Sequence, residues 1–135
     1  MKQTLKIKGK LVSLNDYINA ERRNRFIAAK IKKTETVRVY WECKAQKIKP
    51  MEKIDEAFFF YTHDSKRGDY DGFEFYQKFI WDGLKEAGII ENDTQRFTPA
   101  IRHHSHMIGS FNGLEVTLIR YDGTESLNND TVPKV

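Results

Sequence analysis

The feature that most constrains the fold is the stretch between Gly9 and Pro50, which contains neither glycine nor proline and so no strong helix breaker. It opens on "SLND", where Ser13, Asn15 or Asp16 can cap the free amides of a helix N-terminus. Residues spaced three or four apart then mark one helix face: Phe26, Ala29, Lys33, Val37, Tyr40, Trp41, Ala45 and Ile48. The stretch predicts one long amphipathic helix, which Pro50 ends.

Shorter runs have the patterns of β-strands and of a second helix. "TLKIKGKLV" alternates apolar residues with lysines, so Leu5 and Ile7 are expected to point inward. The aromatic run over residues 54–62 predicts a buried strand, and "FTPAIRHHSHMI" and "LEVTLIRY" predict two more. A helix capped by Gly88 is predicted between them. Its apolar positions are Phe73, Tyr76, Ile80, Leu84 and Ala87, with Phe75 and Phe79 on the other flank.

These elements predict an α+β fold, in which helices pack on a small mixed β-sheet, and a single domain that forms a homodimer. The length of 135 residues suits one domain. We expect that domain to occupy residues 1–121, and the polar, aperiodic residues 122–135 to form a flexible C-terminal tail. The wide apolar surface of the second helix favours burial on two sides, one of them against a second copy of the chain.

The composition points to a soluble cytoplasmic protein. With 39% hydrophobic and 31% charged residues, the chain has no apolar run near the ~20 residues of a membrane span. The N-terminus lacks the pattern of a secretory signal. The one cysteine, Cys43, has no partner for an internal disulfide and is expected to be a packed thiol, which suits a reducing compartment.

Charge is divided unevenly along the chain. Residues 1–53 contain 15 Lys and Arg against 5 Asp and Glu, a net charge of +10, whereas residues 54–135 contain 8 against 14, a net charge of −6. The segment "ERRNRFIAAKIKK" is dense enough in cations for phosphate contacts, although a solvated helix face is the alternative. Its candidate DNA-binding residues are Arg22, Arg23, Arg25, Lys30, Lys32 and Lys33.

The stretch "KRGDYDGFEFYQK" contains two aspartates, Asp69 and Asp71, one residue apart. In an extended backbone their side chains point the same way, with Cα atoms ~6 to 7 Å apart, and can share a Mg²⁺ ion. The preceding cations, Lys66 and Arg67, are candidate DNA contacts beside such a site. The alternative is ordinary cap and turn chemistry, in which Asp71 and Glu74 form a variant of the capping box.

Two further groups are predicted to belong to the same site. Lys78 is expected on the side of the second helix that faces Asp71, although an ion pair with Asp82 one turn later is the alternative. Asp93, in "IENDTQ", would return to the start of this helix if a strand ran back beside it. Three carboxylates and a lysine would then surround one cation.

Over residues 64–95, "RGDYDG" and "QKFIWDGLKEAGIIENDTQ" resemble the RusA-type Holliday-junction resolvases. Position by position, Asp69 and Asp71 match the paired metal-binding carboxylates, and Asp93 matches the third. Lys78 matches the catalytic lysine and Asp82 the helical aspartate. "SLNDY" is similar to the Ser-x-Asn segment of the family, which adds Asn15 to the DNA-binding residues, and "DSKRG" is similar to its basic run.

Three departures from the family pattern lie in the same stretch. Gly72 replaces an asparagine, Asn92 replaces the first acid of the later pair, and the spacing from Asp71 to Lys78 is three residues longer. If the added residues extend the helix, Lys78 turns by about 60°. If they lengthen the loop before the helix, its direction is kept.

The resemblance implies a homodimeric endodeoxyribonuclease that resolves four-way DNA junctions by paired symmetric nicks in recombination and repair. Its cofactor would be Mg²⁺ or Mn²⁺, held by Asp69, Asp71 and Asp93, with Lys78 as a further catalytic residue. The family is common in phages and prophages. Two alternatives stay open at this point: a non-catalytic DNA-binding module that uses the basic helix, and another metal-dependent hydrolase built on His104 and His106 of "RHHSHM".

Overall fold

The structure is a computed structural model that describes residues 1–121, so the predicted tail at 122–135 lies outside the described residues. The α+β prediction is confirmed. The strands are β1 (Lys2–Lys8), β2 (Glu56–His63), β3 (Ile101–Ile108) and β4 (Gly113–Ile119). The helices are α1 (Leu14–Arg23), α2 (Arg25–Ala45), α3 (Tyr70–Glu74) and α4 (Gln77–Glu86). No helix within this part of the chain is both long and apolar enough to cross a bilayer.

The four strands form one mixed sheet in the order β1-β4-β2-β3. β4 pairs antiparallel with both β1 and β2, whereas β3 pairs parallel with β2. Leu5 and Ile7 are buried, as the alternation of β1 predicts. In the parallel pair, Phe59 lies opposite His104 and Tyr61 opposite His106, so both histidines share the face that the helices cover.

The core lies between that face of the sheet and helices α2 and α4. Phe59, Phe79 and Leu84 are among its fully buried side chains. The two helices approach closely at Gly83, where an added Cβ would lie 2.3 Å from Cγ1 of Val39. Cys43 is buried in this core, and burial raises the pKa of its thiol to about 12. The packed-thiol prediction is therefore confirmed.

The single long helix predicted before Pro50 is wrong, because the chain breaks at Asn24. Asn24 has extended dihedral angles, and its side chain accepts a hydrogen bond of 2.7 Å from the Phe26 amide, which starts α2. The predicted apolar face is also wrong, since Phe26 is 71% exposed and Trp41 is 62% exposed. The face that packs inward carries the buried residues Ala28, Glu35, Val39 and Cys43.

The second predicted helix is two helices joined by a tighter turn. The Tyr76 amide donates to the Phe73 carbonyl at 2.9 Å and the Phe79 amide to the Tyr76 carbonyl at 3.0 Å, a three-residue spacing typical of a 3₁₀ turn. The longer spacing from Asp71 to Lys78 contains this turn, so it is neither a continuous α-helix nor an extended loop. The predicted cap at Gly88 is confirmed by its φ of +74°.

Candidate functional site

Asp69 and Asp71 line one open cavity just beyond the C-terminal end of β2. Its volume is about 500 Å³, and Lys66, Arg67 and His63 line it as well. Gly68 shapes the loop that carries these groups: its φ is +98°, and a Cβ there would lie 2.5 Å from Cζ of Phe73. The loop therefore needs glycine at this position, both for its backbone conformation and for its packing. The result is two exposed carboxylates and two exposed cations around one opening.

The capping hydrogen bonds expected of the acidic pair are not formed, although Gly68 has the positive φ typical of a turn. Asp69 occupies the N-cap position of α3 with extended dihedral angles, yet its side chain makes no capping hydrogen bond. Glu74, the other half of the expected capping box, instead accepts a hydrogen bond of 2.6 Å from Nε2 of His106. The Asp69 carboxylate therefore faces solvent and the cavity, where it is free to bind a cation.

Neither Asp93 nor Lys78 of the same chain lines the cavity that Asp69 and Asp71 share. Asp93 lines a second cavity of about 750 Å³ between α2 and α4, beside Asp82 and Lys32. Burial raises the pKa of Asp82; the nearby Lys78 and Lys32 oppose this shift and Asp93 adds to it. One oxygen of Asp82, Oδ2, is buried without a hydrogen-bond partner among the described residues. Asp82, Asp93, Lys78 and Lys32 thus form a second charged group, which we call the α2–α4 cluster.

The strand that was expected to return Asp93 to the start of the helix does not form. Residues 91–100 contain no strand, and β3 begins only at Ile101. Within residues 1–121, no three His, Cys, Asp or Glu side chains are grouped closely enough to hold a metal ion. The predicted three-carboxylate site is therefore not assembled in one chain. The remaining pair, Asp69 and Asp71, suits Mg²⁺, which proteins often hold by one or two carboxylates together with water and substrate phosphate oxygens.

The predicted DNA-binding residues are all exposed. Arg22 and Arg23 lie in the last turn of α1, and Arg25 opens α2. The others are Asn15 on α1, Lys30, Lys32 and Lys33 on α2, and Lys66 and Arg67 at the first cavity. None of these cations is paired with a carboxylate of the described chain within 4.0 Å, so they are available to phosphate groups.

A chain of hydrogen-bonded histidines leads to the first cavity. His63 Nε2 lies 2.9 Å from Nδ1 of His106, and His106 Nε2 in turn lies 2.6 Å from the Glu74 carboxylate. His104 is engaged separately, with its Nδ1 2.8 Å from the Tyr61 hydroxyl. Burial is the main cause that lowers the pKa of His63 and of His104.

Sequence reasoning singled out His104 and His106 but missed His63 and Glu74. The signal that would have found them is the parallel pairing of β2 with β3, which places Tyr61 and His63 directly opposite His106 and Ile108. Since these histidines already bond to Tyr61, Glu74 and each other, the arrangement is a hydrogen-bonded chain and not a ring of ligands around a common ion.

No protein-family model matches the sequence, and no curated protein is significantly similar to it.

Proposed function

We propose that the protein is a metal-dependent endodeoxyribonuclease that cuts branched DNA, in particular four-way junctions, by paired symmetric nicks. The observation that carries this proposal is the position of Asp69, an N-cap residue whose carboxylate makes no capping bond and shares an open cavity with Asp71. Carboxylates left without a structural partner beside two cations are a suitable arrangement for a phosphodiester and a divalent ion.

Asp69 and Asp71 would hold Mg²⁺ or Mn²⁺ in this cavity. The ion would lower the pKa of a bound water and offset negative charge on the phosphate. Lys66 and Arg67, which line the same opening, would bind the phosphate oxygens and orient the scissile bond. Because residues 66–71 supply both the cations and the carboxylates, this one short segment would place the bound phosphate next to the metal ion.

The exposed cations of α1 and α2 would supply most of the affinity for DNA. Arg22, Arg23 and Arg25 surround the break at Asn24, where two helix termini bring cations together. Such contacts would bind phosphate groups whatever the base sequence. Replacing Arg22 and Arg23 with glutamine should weaken junction binding and reduce the slope of log affinity against log salt by about 0.9 for each lost phosphate contact. Lys2→Gln, an exposed change on the distant strand β1, is the matched control.

The active form is proposed to be a homodimer, since one two-fold protein can address two equivalent strands of a junction. Large apolar side chains remain exposed for such an interface, notably Phe60 on the uncovered face of the sheet and Phe111 in the β3–β4 turn, which line one cavity. Light scattering would measure the mass in solution. The single buried thiol, Cys43, agrees with a cytoplasmic location.

The decisive experiment incubates the purified protein with a synthetic four-way junction and Mg²⁺. The wild type should produce paired nicks, whereas Asp69→Asn and Asp71→Asn should each lose cleavage by at least about 100-fold while still binding the junction. Glu91→Gln, which removes an exposed carboxylate outside both cavities, should cleave normally. Undiminished cleavage in both aspartate variants would exclude this site.

The same assay decides the role of the α2–α4 cluster and the alternative function. Asp93→Asn and Lys78→Ala should reduce cleavage if these residues act with the first cavity, as the sequence predicts, and leave it unchanged if they do not. A wild-type protein that binds the junction through its basic helices but cuts no strand with Mg²⁺ or Mn²⁺ would instead be a non-catalytic DNA-binding module. Its exposed, unpaired cations favour that as the second candidate.

A further inference from the structure

A chain of hydrogen-bonded side chains ends at the first cavity. Neither Asp69 nor Asp71 takes part in it. It runs from Glu74 on α3 through His106 on β3 to His63 at the end of β2, and His63 lines the cavity. The His106 side chain is only 6% exposed, and that of Glu74 is 27% exposed. The chain therefore connects a partly solvated carboxylate to a cavity wall through two largely buried histidine side chains.

When both rings are neutral, the tautomer of each follows from the Glu74 carboxylate. A carboxylate is only an acceptor, so Nε2 of His106 must carry the proton and donate it at 2.6 Å. In a neutral His106, Nδ1 is then an acceptor, which requires Nε2 of His63 to donate across the 2.9 Å contact. Nδ1 of His63 is consequently left without a proton. This nitrogen makes no hydrogen bond to the described residues, and solvent can reach it.

Aromatic packing fixes the middle of this chain. The His106 ring lies between Tyr61 and Tyr70, with ring centroids at 4.4 and 4.3 Å and interplanar angles of 7° and 10°. His63 is held in turn against Phe73, at 4.3 Å. Both rings are therefore held in fixed orientations, and a proton received at one end would be stabilised by the charge at the other.

We propose that His63 is the general base of this cavity, with Glu74 and His106 as positioning residues that hold its Nδ1 unprotonated; this inference rests on the proposed nuclease function. Nδ1 takes a proton from the attacking water as the water oxygen bonds to phosphorus. The bond from phosphorus to the leaving ribose oxygen then breaks, and that oxygen is protonated from solvent. The products are a phosphate-terminated and a hydroxyl-terminated strand, and His63 returns its proton to solvent.

The electrostatic surroundings of His63 suit a base that is neutral near pH 7. Burial lowers its pKa, His106 and Lys10 lower it further, and Asp64 opposes them. Other titratable groups also face it: Tyr61 on β2, Tyr70 on α3, and the cavity groups Lys66, Arg67, Asp69 and Asp71. Glu74 acts on His63 through the hydrogen bonds of His106, so its charge stabilises the imidazolium that proton transfer creates.

The first test needs neither metal nor DNA. Long-range ¹H–¹⁵N NMR of the wild-type protein at neutral pH should show His63 protonated at Nε2 and unprotonated at Nδ1. Glu74→Gln removes the charge while keeping the size of the side chain, and it should lower the pKa of His63 or move the proton to Nδ1. A His63 that already carries its proton on Nδ1 in the wild type would overturn the inference, whatever the enzyme does.

The second test separates this inference from the nuclease proposal. With Mg²⁺ and a four-way junction, His63→Gln should lose at least about 100-fold in kcat and the acidic limb of its pH profile, while junction affinity is kept. Glu74→Gln, in which His63 remains, should show a smaller loss and a shifted limb. His103→Gln alters an exposed histidine that is bonded to Glu56, and it should behave as wild type.

Each result has one meaning. Full cleavage by a folded His63→Gln protein would overturn the role of His63 and leave the nuclease proposal standing. Absence of cleavage by the wild type would remove the nuclease proposal and, with it, the base.

Discussion

The contact between α2 and α4 at Gly83 makes a quantitative prediction about stability. Gly83 lies inside α4, where replacing glycine with alanine normally stabilises a helix by about 1 kcal/mol. Here, however, the new Cβ would lie 2.3 Å from Cγ1 and 2.5 Å from Cβ of Val39, about 1 Å closer than carbon atoms pack. The helices must separate, and an overlap this severe falls in the upper part of the roughly 1–3 kcal/mol that overpacking of a core costs, about 2–3 kcal/mol before the helix gain is subtracted.

We therefore expect Gly83→Ala to lower the free energy of unfolding by about 1–2 kcal/mol, which for a domain of this size lowers Tm by roughly 3–8 °C. Urea and thermal denaturation followed by circular dichroism would measure both quantities. The matched control is Gly72→Ala in α3, where the new Cβ meets only Asp69 Cβ at an ordinary 3.9 Å, so that variant should be neutral or slightly more stable. A Gly83→Ala protein as stable as the wild type would refute the close approach of the two helices.

Three further predictions concern caps, the buried thiol and pH. Asn24→Ala should cost about 1 kcal/mol, more than Ser13→Ala, because Asn24 caps at 2.7 Å and Ser13 at 3.5 Å; urea titrations of both variants would show the order. Cys43 should not react with a thiol reagent until the protein unfolds, because it is buried and its pKa is raised to about 12; rapid labelling of the native protein would contradict this. The pKa of His104 is lowered below its unfolded value of about 6.5, so the unfolded state binds more protons, and stability should fall as the pH drops from about 7.5 to about 5.5. His104→Gln should show a smaller fall, and an equal fall would mean that other groups cause it.

The strands and the caps were the parts of the fold that sequence patterns predicted best. Leu5 and Ile7 alternate with lysines, and a period of two leaves only one choice of inward face. The helix faces were harder, since α2 carries two sets of residues at helical spacing. The set through Phe26 and Trp41 is more aromatic, but the set through Val39 is the one that meets Gly83, and nothing local to α2 reveals that contact.

The candidate site was predictable only where it is local in sequence. Asp69 and Asp71 share a cavity because one is the N-cap of α3 and the other lies in its first turn, so their proximity follows from a spacing of two. The position of Asp93 depends on the path of residues 91–100, which have neither the alternation nor the helical spacing that would fix it. The link from His63 to Glu74 depends on the parallel register of β2 and β3, which joins residues far apart along the chain.

The order of the sheet also has a consequence for how the chain folds as it is synthesised. β4 lies between β1 and β2 in space but follows both in the chain. Its pairing with β1 joins residues more than a hundred positions apart, such as Lys2 and Ile119. While a ribosome is still adding residues before Gly113, β1 has no neighbour in the sheet and the aromatic side chains of β2 lack one of their two flanking strands. Folding should therefore wait for the emergence of β4, and proteins dominated by such distant pairings fold in milliseconds to seconds.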